Sequence, residues 1–121
     1  MKFCWTTLRV SDMEKSLHFY CNILGLPVNS RHSGPRSDIA MLGDANWPKI
    51  ELLFLPDAPR ADAGTAVSIG FFVDSLEETM EMLTNHGIKI ARGPVSPDAN
   101  TSFFFVNDPD GISVQFVKLS K

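Results

Sequence analysis

Positive charge is scarce in this sequence and nowhere concentrated. Lys and Arg number 11 against 14 Asp and Glu, for a net charge of −3. That balance, with no basic run, argues against a nucleic-acid or anionic-membrane surface. Long apolar runs are missing as well; the hydrophobic stretches are of strand length, well below the roughly 20 residues that cross a bilayer. There are only two cysteines, too few for a disulfide framework. Cys4 and Cys21 are expected to be reduced, buried core thiols. The opening Met-Lys-Phe-Cys-Trp-Thr-Thr carries one charge and then alternates, so it does not read as a signal peptide and a cytoplasmic location is expected. Asn100-Thr-Ser is then a glycosylation sequon by chance.

What is present is one plan written twice. With 121 residues, 44% of them hydrophobic and 21% charged, the composition fits one compact domain with a real core. A strand over Phe3–Val10 runs into a helix over Met13–Leu24, a stop at Gly25, and strands near 27–33, 37–42 and 49–55. A strand over Val67–Val73 is followed by a helix opening at Ser75, a stop at Gly87, and strands near 88–95, 101–106 and 112–119. Ser11-x-x-Glu14 and Ser75-x-x-Glu78 read as capping boxes. Met13, Leu17, Tyr20, Cys21 and Leu24 form one apolar helical stripe, as do Leu76, Met80 and Leu83. Gly25 and Gly87 suit left-handed cap positions. Asp108-Pro-Asp-Gly111 is a turn, with Asp44-Ala-Asn-Trp-Pro48 as its counterpart, and Pro56–Gly64 links the copies. The predicted modules are about 1–57 and 65–121 of a single domain.

Alternation sorts the strand residues by face. Trp5, Thr7 and Arg9 oppose Cys4, Thr6, Leu8 and Val10. Glu51, Leu53 and Leu55 oppose Ile50, Leu52 and Phe54. Ser68, Gly70 and Phe72 oppose Val67, Ile69, Phe71 and Val73, and Gln115 opposes Val114 and Phe116. In each strand one face is apolar and suits packing on a helix. The other mixes aromatic, small and polar groups, as a concave ligand surface does. A duplicated unit sets Trp5 against Ser68 and Glu51 against Gln115 as matched pairs around a pseudo-two-fold axis. Arg9, two residues beyond Trp5 on the same face, is a candidate ion-pair partner for Glu51; hydrogen bonds from Gln115 and Ser68 are the other candidate arrangement.

Thr6-x-Leu-Arg-Val-Ser-Asp-Met-Glu-Lys-Ser-Leu-x-Phe-Tyr-x-x-x-Leu-Gly25 resembles the opening of the vicinal oxygen chelate superfamily of glyoxalase I, bleomycin-resistance proteins and extradiol dioxygenases. Phe105-Val-Asn-Asp-Pro-Asp-Gly-Ile-Ser-Val-Gln115 is similar to its closing signature, and Ile50-Glu-Leu and Ser68-Ile-Gly-Phe-Phe-Val-Asp fit its middle. The resemblance covers nearly the whole chain. It implies an α+β fold of two tandem βαβββ modules forming a cupped, barrel-like mixed sheet with helices outside, and it implies a homodimer.

The enzymes of this superfamily hold a divalent ion at four positions that here read Trp5, Glu51, Ser68 and Gln115. Only Glu51 is a good ligand, since indole supplies no donor and Zn²⁺ or Ni²⁺ needs three or four imidazole, thiolate or carboxylate groups. One carboxylate with an amide and a hydroxyl is also a poor Mg²⁺ site. His18, His32 and His86 lie elsewhere in the pattern, so no metal and no cofactor are expected. The leading expectation is metal-independent binding of a small, partly aromatic molecule. Trp5, Trp47, Phe72 and Phe104 would stack on it, while Thr7, Arg9, Glu51, Leu53, Ser68, Gly70 and Gln115 line the cup. Of the run Phe103–Phe105 one or more members would stack in this way, Phe104 being the one chosen, and at least two are expected in the core. The alternatives are a lyase or isomerase with Glu51 as general base, and a structural or regulatory module with a filled cup.

Overall fold

The structure is a computed structural model and describes residues 1–120. The chain divides into two compact units, Met1–Asp62 and Ala63 onward. Each is an α+β module with the same element order. The first comprises β1 (Trp5–Arg9), α1 (Met13–Leu17), β2 (Val28–Ser33), β3 (Asp38–Leu42) and β4 (Lys49–Phe54). The second comprises β5 (Ser68–Phe72), α2 (Leu76–Asn85), β6 (Arg92–Val95), β7 (Thr101–Asn107) and β8 (Ser113–Leu119). The strands form two four-stranded sheets, ordered β1-β4-β3-β2 and β5-β8-β7-β6, rather than one closed barrel. In each sheet the first strand pairs in parallel with the last, and the remaining pairs are antiparallel.

The register makes the two units comparable residue by residue. Thr7 pairs with Glu51 and Gly70 with Gln115. On the helix-facing side one row reads Leu8, Leu52, Ala40, Arg31 in the first sheet. The equivalent row in the second reads Phe71, Phe116, Phe104. Leu8 and Leu52 in the first sheet and Val114 and Phe116 in the second are buried, so the apolar face expected of β1, β4 and β8 is the core face.

The helices depart from expectation in the first unit and follow it in the second. Asp12, not Ser11, caps α1, its side chain accepting a hydrogen bond from the Lys15 N–H at 3.1 Å. Ser and Asp stand side by side, and the β-region backbone at Asp12 that precedes the first helical residue selects the cap. The helix is α-helical only to Leu17 and continues as a π-helical segment over His18–Ile23. There the Leu24 N–H reaches the Phe19 carbonyl at 3.0 Å, five residues back. Of the expected stripe Met13 and Tyr20 are buried and Leu17, Cys21 and Leu24 only half-buried, while Ser16 and Phe19 join the core, because underwinding brings the adjacent rings of Phe19 and Tyr20 inward together. Cys21 is left half-buried and Cys4, ahead of β1, is exposed, which corrects the expectation of two core thiols.

In α2 the Ser75 side chain accepts from the Glu78 N–H at 3.2 Å, as the capping pattern requires. The helix ends with Gly87 at φ +77°, the Gly87 N–H on Thr84 and the Ile88 N–H on Leu83. This is a left-handed cap of the Schellman type. The Asp108–Gly111 turn also forms as expected. Asp108 is buried, its carboxylate accepts from the Asp110 and Ile112 N–H groups at 2.9 and 2.8 Å, and Gly111 takes φ +87°.

Candidate functional site

The face of the first sheet away from its core carries Trp5, Thr7 and Arg9 on β1 and Lys49, Glu51 and Leu53 on β4. Met41 and Ile39 extend the same rows across β3. Thr7 Oγ1 donates to Glu51 Oε1 at 2.7 Å, a direct consequence of their cross-strand pairing. Arg9 does not pair with Glu51. Its guanidinium donates to the Pro59 carbonyl at 2.9 Å, pinning the segment that leaves the sheet. Arg9 is partnered in register with Leu53, one step past the carboxylate, so the nearer Thr7 hydroxyl takes the Glu51 oxygen.

Trp47 lies in the turn between β3 and β4, where its N–H donates to the Asp44 carbonyl at 3.1 Å. Lys49 fastens this turn. Its ammonium donates to the Ala45 and Trp47 carbonyls at 3.1 and 3.2 Å, and its N–H bonds the Cys4 carbonyl at 3.0 Å. Trp5 is 47% and Trp47 69% exposed. Between them opens a cleft of about 660 Å³, with Met41 in its wall.

The equivalent face of the second sheet carries Ser68, Gly70 and Phe72 on β5 and Ser113, Gln115 and Val117 on β8. A Cβ on Gly70 would sit 3.7 Å from the Gln115 amide oxygen, so the amide lies over the glycine. Phe72 is 78% exposed. Phe104, expected on this face, is fully buried on the other side, 5.1 Å from Phe116 between ring centroids. Phe103 and Phe105 take its place, paired with Val117 and Gln115 and set edge to face at 5.7 Å. Arg92 on β6 lies 4.5 Å from the Phe105 ring centre. Registration with Gln115 decides this: counting alternation back from that residue, rather than forward through an all-Phe run, would have found Phe103 and Phe105.

The four positions that hold a metal in the resembling enzymes give one carboxylate (Glu51), one amide (Gln115), one hydroxyl (Ser68) and one indole (Trp5). The indole has a donor N–H and no lone pair to offer. Glu51 already accepts from Thr7. Among the described residues no three His, Cys, Asp or Glu side chains gather as a metal site. This donor set does not fit a Zn²⁺ or Ni²⁺ centre.

An ion-pair cluster centred on Arg31 lies off this face. Arg31 bonds Asp38 at 2.8 and 3.2 Å and reaches Glu14 of α1 at 3.1 Å. Asp38 is held below the usual carboxylate range first by Arg31 and further by Ser33, and Arg31 is raised by its bonds to Asp38 and then Glu14. Burial pushes the Cys21 thiol up.

The Glyoxalase/Bleomycin resistance protein/Dioxygenase superfamily model matches residues 2–116. Lactoylglutathione lyase of Neisseria meningitidis is 34% identical over 126 residues, spanning 98% of this chain and 91% of that protein. Among solved structures, glyoxalase I of Leishmania major has a TM-score of 0.84 at 22% identity, covering 98% of this chain and 86% of its own. An antibiotic binding protein from Streptomyces has a TM-score of 0.74 at 18% identity, covering 99% and 97%. The last two similarities speak for the fold alone. With the paired βαβββ units and nearly the full length matched, the chain belongs to the Glyoxalase/Bleomycin resistance protein/Dioxygenase superfamily.

Proposed function

We propose that this protein binds a small, partly aromatic molecule on the non-core sheet faces without a metal ion. The observation that supports the reading is the donor set. Trp5 and Ser68 stand where a chelating site needs ligands, and the two indoles of the first unit wall an open cleft instead. Aromatic side chains offer large contact area at low entropic cost. The residues proposed to meet the ligand are Trp5, Thr7, Arg9, Trp47, Glu51 and Leu53 on the non-core face of the first unit and Ser68, Gly70, Phe72 and Gln115 on the corresponding face of the second. Phe103 and Phe105 replace Phe104 in that set. The same fold serves a protein described as antibiotic binding, which makes sequestration a reasonable use of it. A homodimer is part of the reading and would appear as twice the chain mass in sedimentation equilibrium.

The second reading is a lyase of the glyoxalase type, favoured by relatives named lactoylglutathione lyase. In it Glu51, with Thr7 donating to one oxygen, would take a proton beside a carbonyl. The developing enolate would then need a stabilising group other than a metal, because its charge is the main barrier. Metal analysis of protein purified without chelators, combined with native mass spectrometry and a lactoylglutathione-forming assay, separates the two. Sequestration predicts no stoichiometric Ni or Zn, no turnover and a co-purified or added aromatic ligand that survives EDTA. Stoichiometric metal, or turnover abolished by Glu51→Gln, would replace it with the lyase reading.

A further inference from the structure

We infer that the cleft at the Trp5 end of the first sheet is a site for a flat aromatic anion, of which an aromatic carboxylate is the simplest kind. The inference rests on the binding reading above and names the ligand class. Both tryptophans of the chain line this cleft, although they stand 42 positions apart in the sequence. Their exposed indoles present two apolar faces to whatever enters. The charge of the walls is one-sided: Lys2 and Lys49 contribute, and no Asp or Glu lines the cleft, in a chain with 14 acidic residues against 11 basic ones. A cationic aromatic would be repelled by both ammonium groups, while an anion would be attracted by both.

Lys49 is placed rather than loose. Two of its N–H groups bond the Ala45 and Trp47 carbonyls, and an ammonium has three donors. The remaining one is free to meet a carboxylate. The same two bonds fix the turn that carries Trp47, so the positive charge and the indole are held together. The amides of Asn29 and Asn46 add polar groups to the wall. A volume of about 660 Å³ lies within the range of small-molecule sites.

Cys4, exposed in the cleft wall, gives the test a local readout. The experiment is calorimetric titration of the full chain with 2-naphthoate and, separately, with 2-naphthylmethylammonium, each with and without EDTA. Alkylation of Cys4 is followed in parallel by peptide mass mapping, with half-buried Cys21 as the internal reference. The anion is expected to bind at least roughly tenfold more tightly than the cation and to slow Cys4 alkylation. Trp47→Ala, at an exposed turn, is expected to abolish both effects, and Lys2→Met to weaken the anion without strengthening the Trp47→Ala protein. Equal binding of the two probes, or naphthoate binding that leaves Cys4 alkylation and Trp47→Ala unaffected, overturns the inference. Naphthoate binding with Cys4 protection that vanishes in EDTA supports the cleft assignment and overturns the metal-independent reading. A metal-free chain whose cleft responds to neither probe overturns the cleft assignment alone.

Discussion

The two units share a topology and a register, yet they put their bulk in opposite places. In the first, the helix side supplies the aromatics, Phe19 and Tyr20, and the facing sheet row is trimmed to Leu8, Leu52 and Ala40. In the second the sheet row is Phe71, Phe116 and Phe104, and the helix offers Leu83 as its buried residue. Cores are close-packed, so volume added on one layer must be removed from the other. The repeat is therefore visible in order and spacing and nearly invisible in residue identity. The same freedom operates on the other faces. Thr7, Glu51 and Met41 in the first unit stand at the places of Gly70, Gln115 and Phe105 in the second.

The largest effect that bears on this comparison is expected from changing the two equivalent β3 and β7 positions in opposite directions. Phe104→Ala should cost about 3–5 kcal/mol by opening a cavity, while Ala40→Phe should cost about 1–3 kcal/mol by overpacking. Urea unfolding measures both. A neutral Ala40→Phe would mean that the first unit holds spare space and that the complementarity is not real.

Next come the helix caps. Asp12→Ala and Ser75→Ala should each cost about 1 kcal/mol in the same measurement, with Ser11→Ala nearer a few tenths. A Ser11→Ala effect as large as that of Asp12→Ala would restore the symmetrical capping boxes read from the sequence.

The smallest is electrostatic and confined to the first unit, where Arg31 ties β2 to α1 and β3. Asp38 has its carboxyl lowered from 3.8 by Arg31 and Ser33. Its contribution is therefore complete above the ordinary carboxylate value and is lost as pH falls through the lowered one. Asp38→Asn should cost about 0.5 kcal/mol near neutrality, given the partial exposure of the pair. It should also flatten the fall in stability at acid pH in a urea series. An unchanged acid limb would show that the bridge is no more than a surface contact.

Strand faces were legible because alternation is local: Trp5, Thr7 and Arg9, and Glu51 and Leu53, stand on the face assigned to them. Phe103–Phe105 was misread because a run of identical residues carries no alternation, and only its pairing with β8 sets the phase. The Arg9–Glu51 pair failed for a related reason. Shared face is a property of the strand, but partner choice depends on registry and on distant groups such as the Pro59 carbonyl. The π-helical segment was equally hidden. Its extra residue per turn answers to the volume facing the helix, which no local pattern records.

Composition, turn residues, glycine stops and alternation were enough to determine two βαβββ units and the core faces of β1, β4, β5 and β8, because each rests on local backbone preference or on residue chemistry. Tertiary structure alone decided which hydroxyl holds Glu51, which phenylalanines face outward and that Lys2, Lys49 and both tryptophans meet at one cleft. Those outcomes depend on strand register and on contacts between residues far apart in the chain, where several arrangements satisfy the same local pattern and packing selects one.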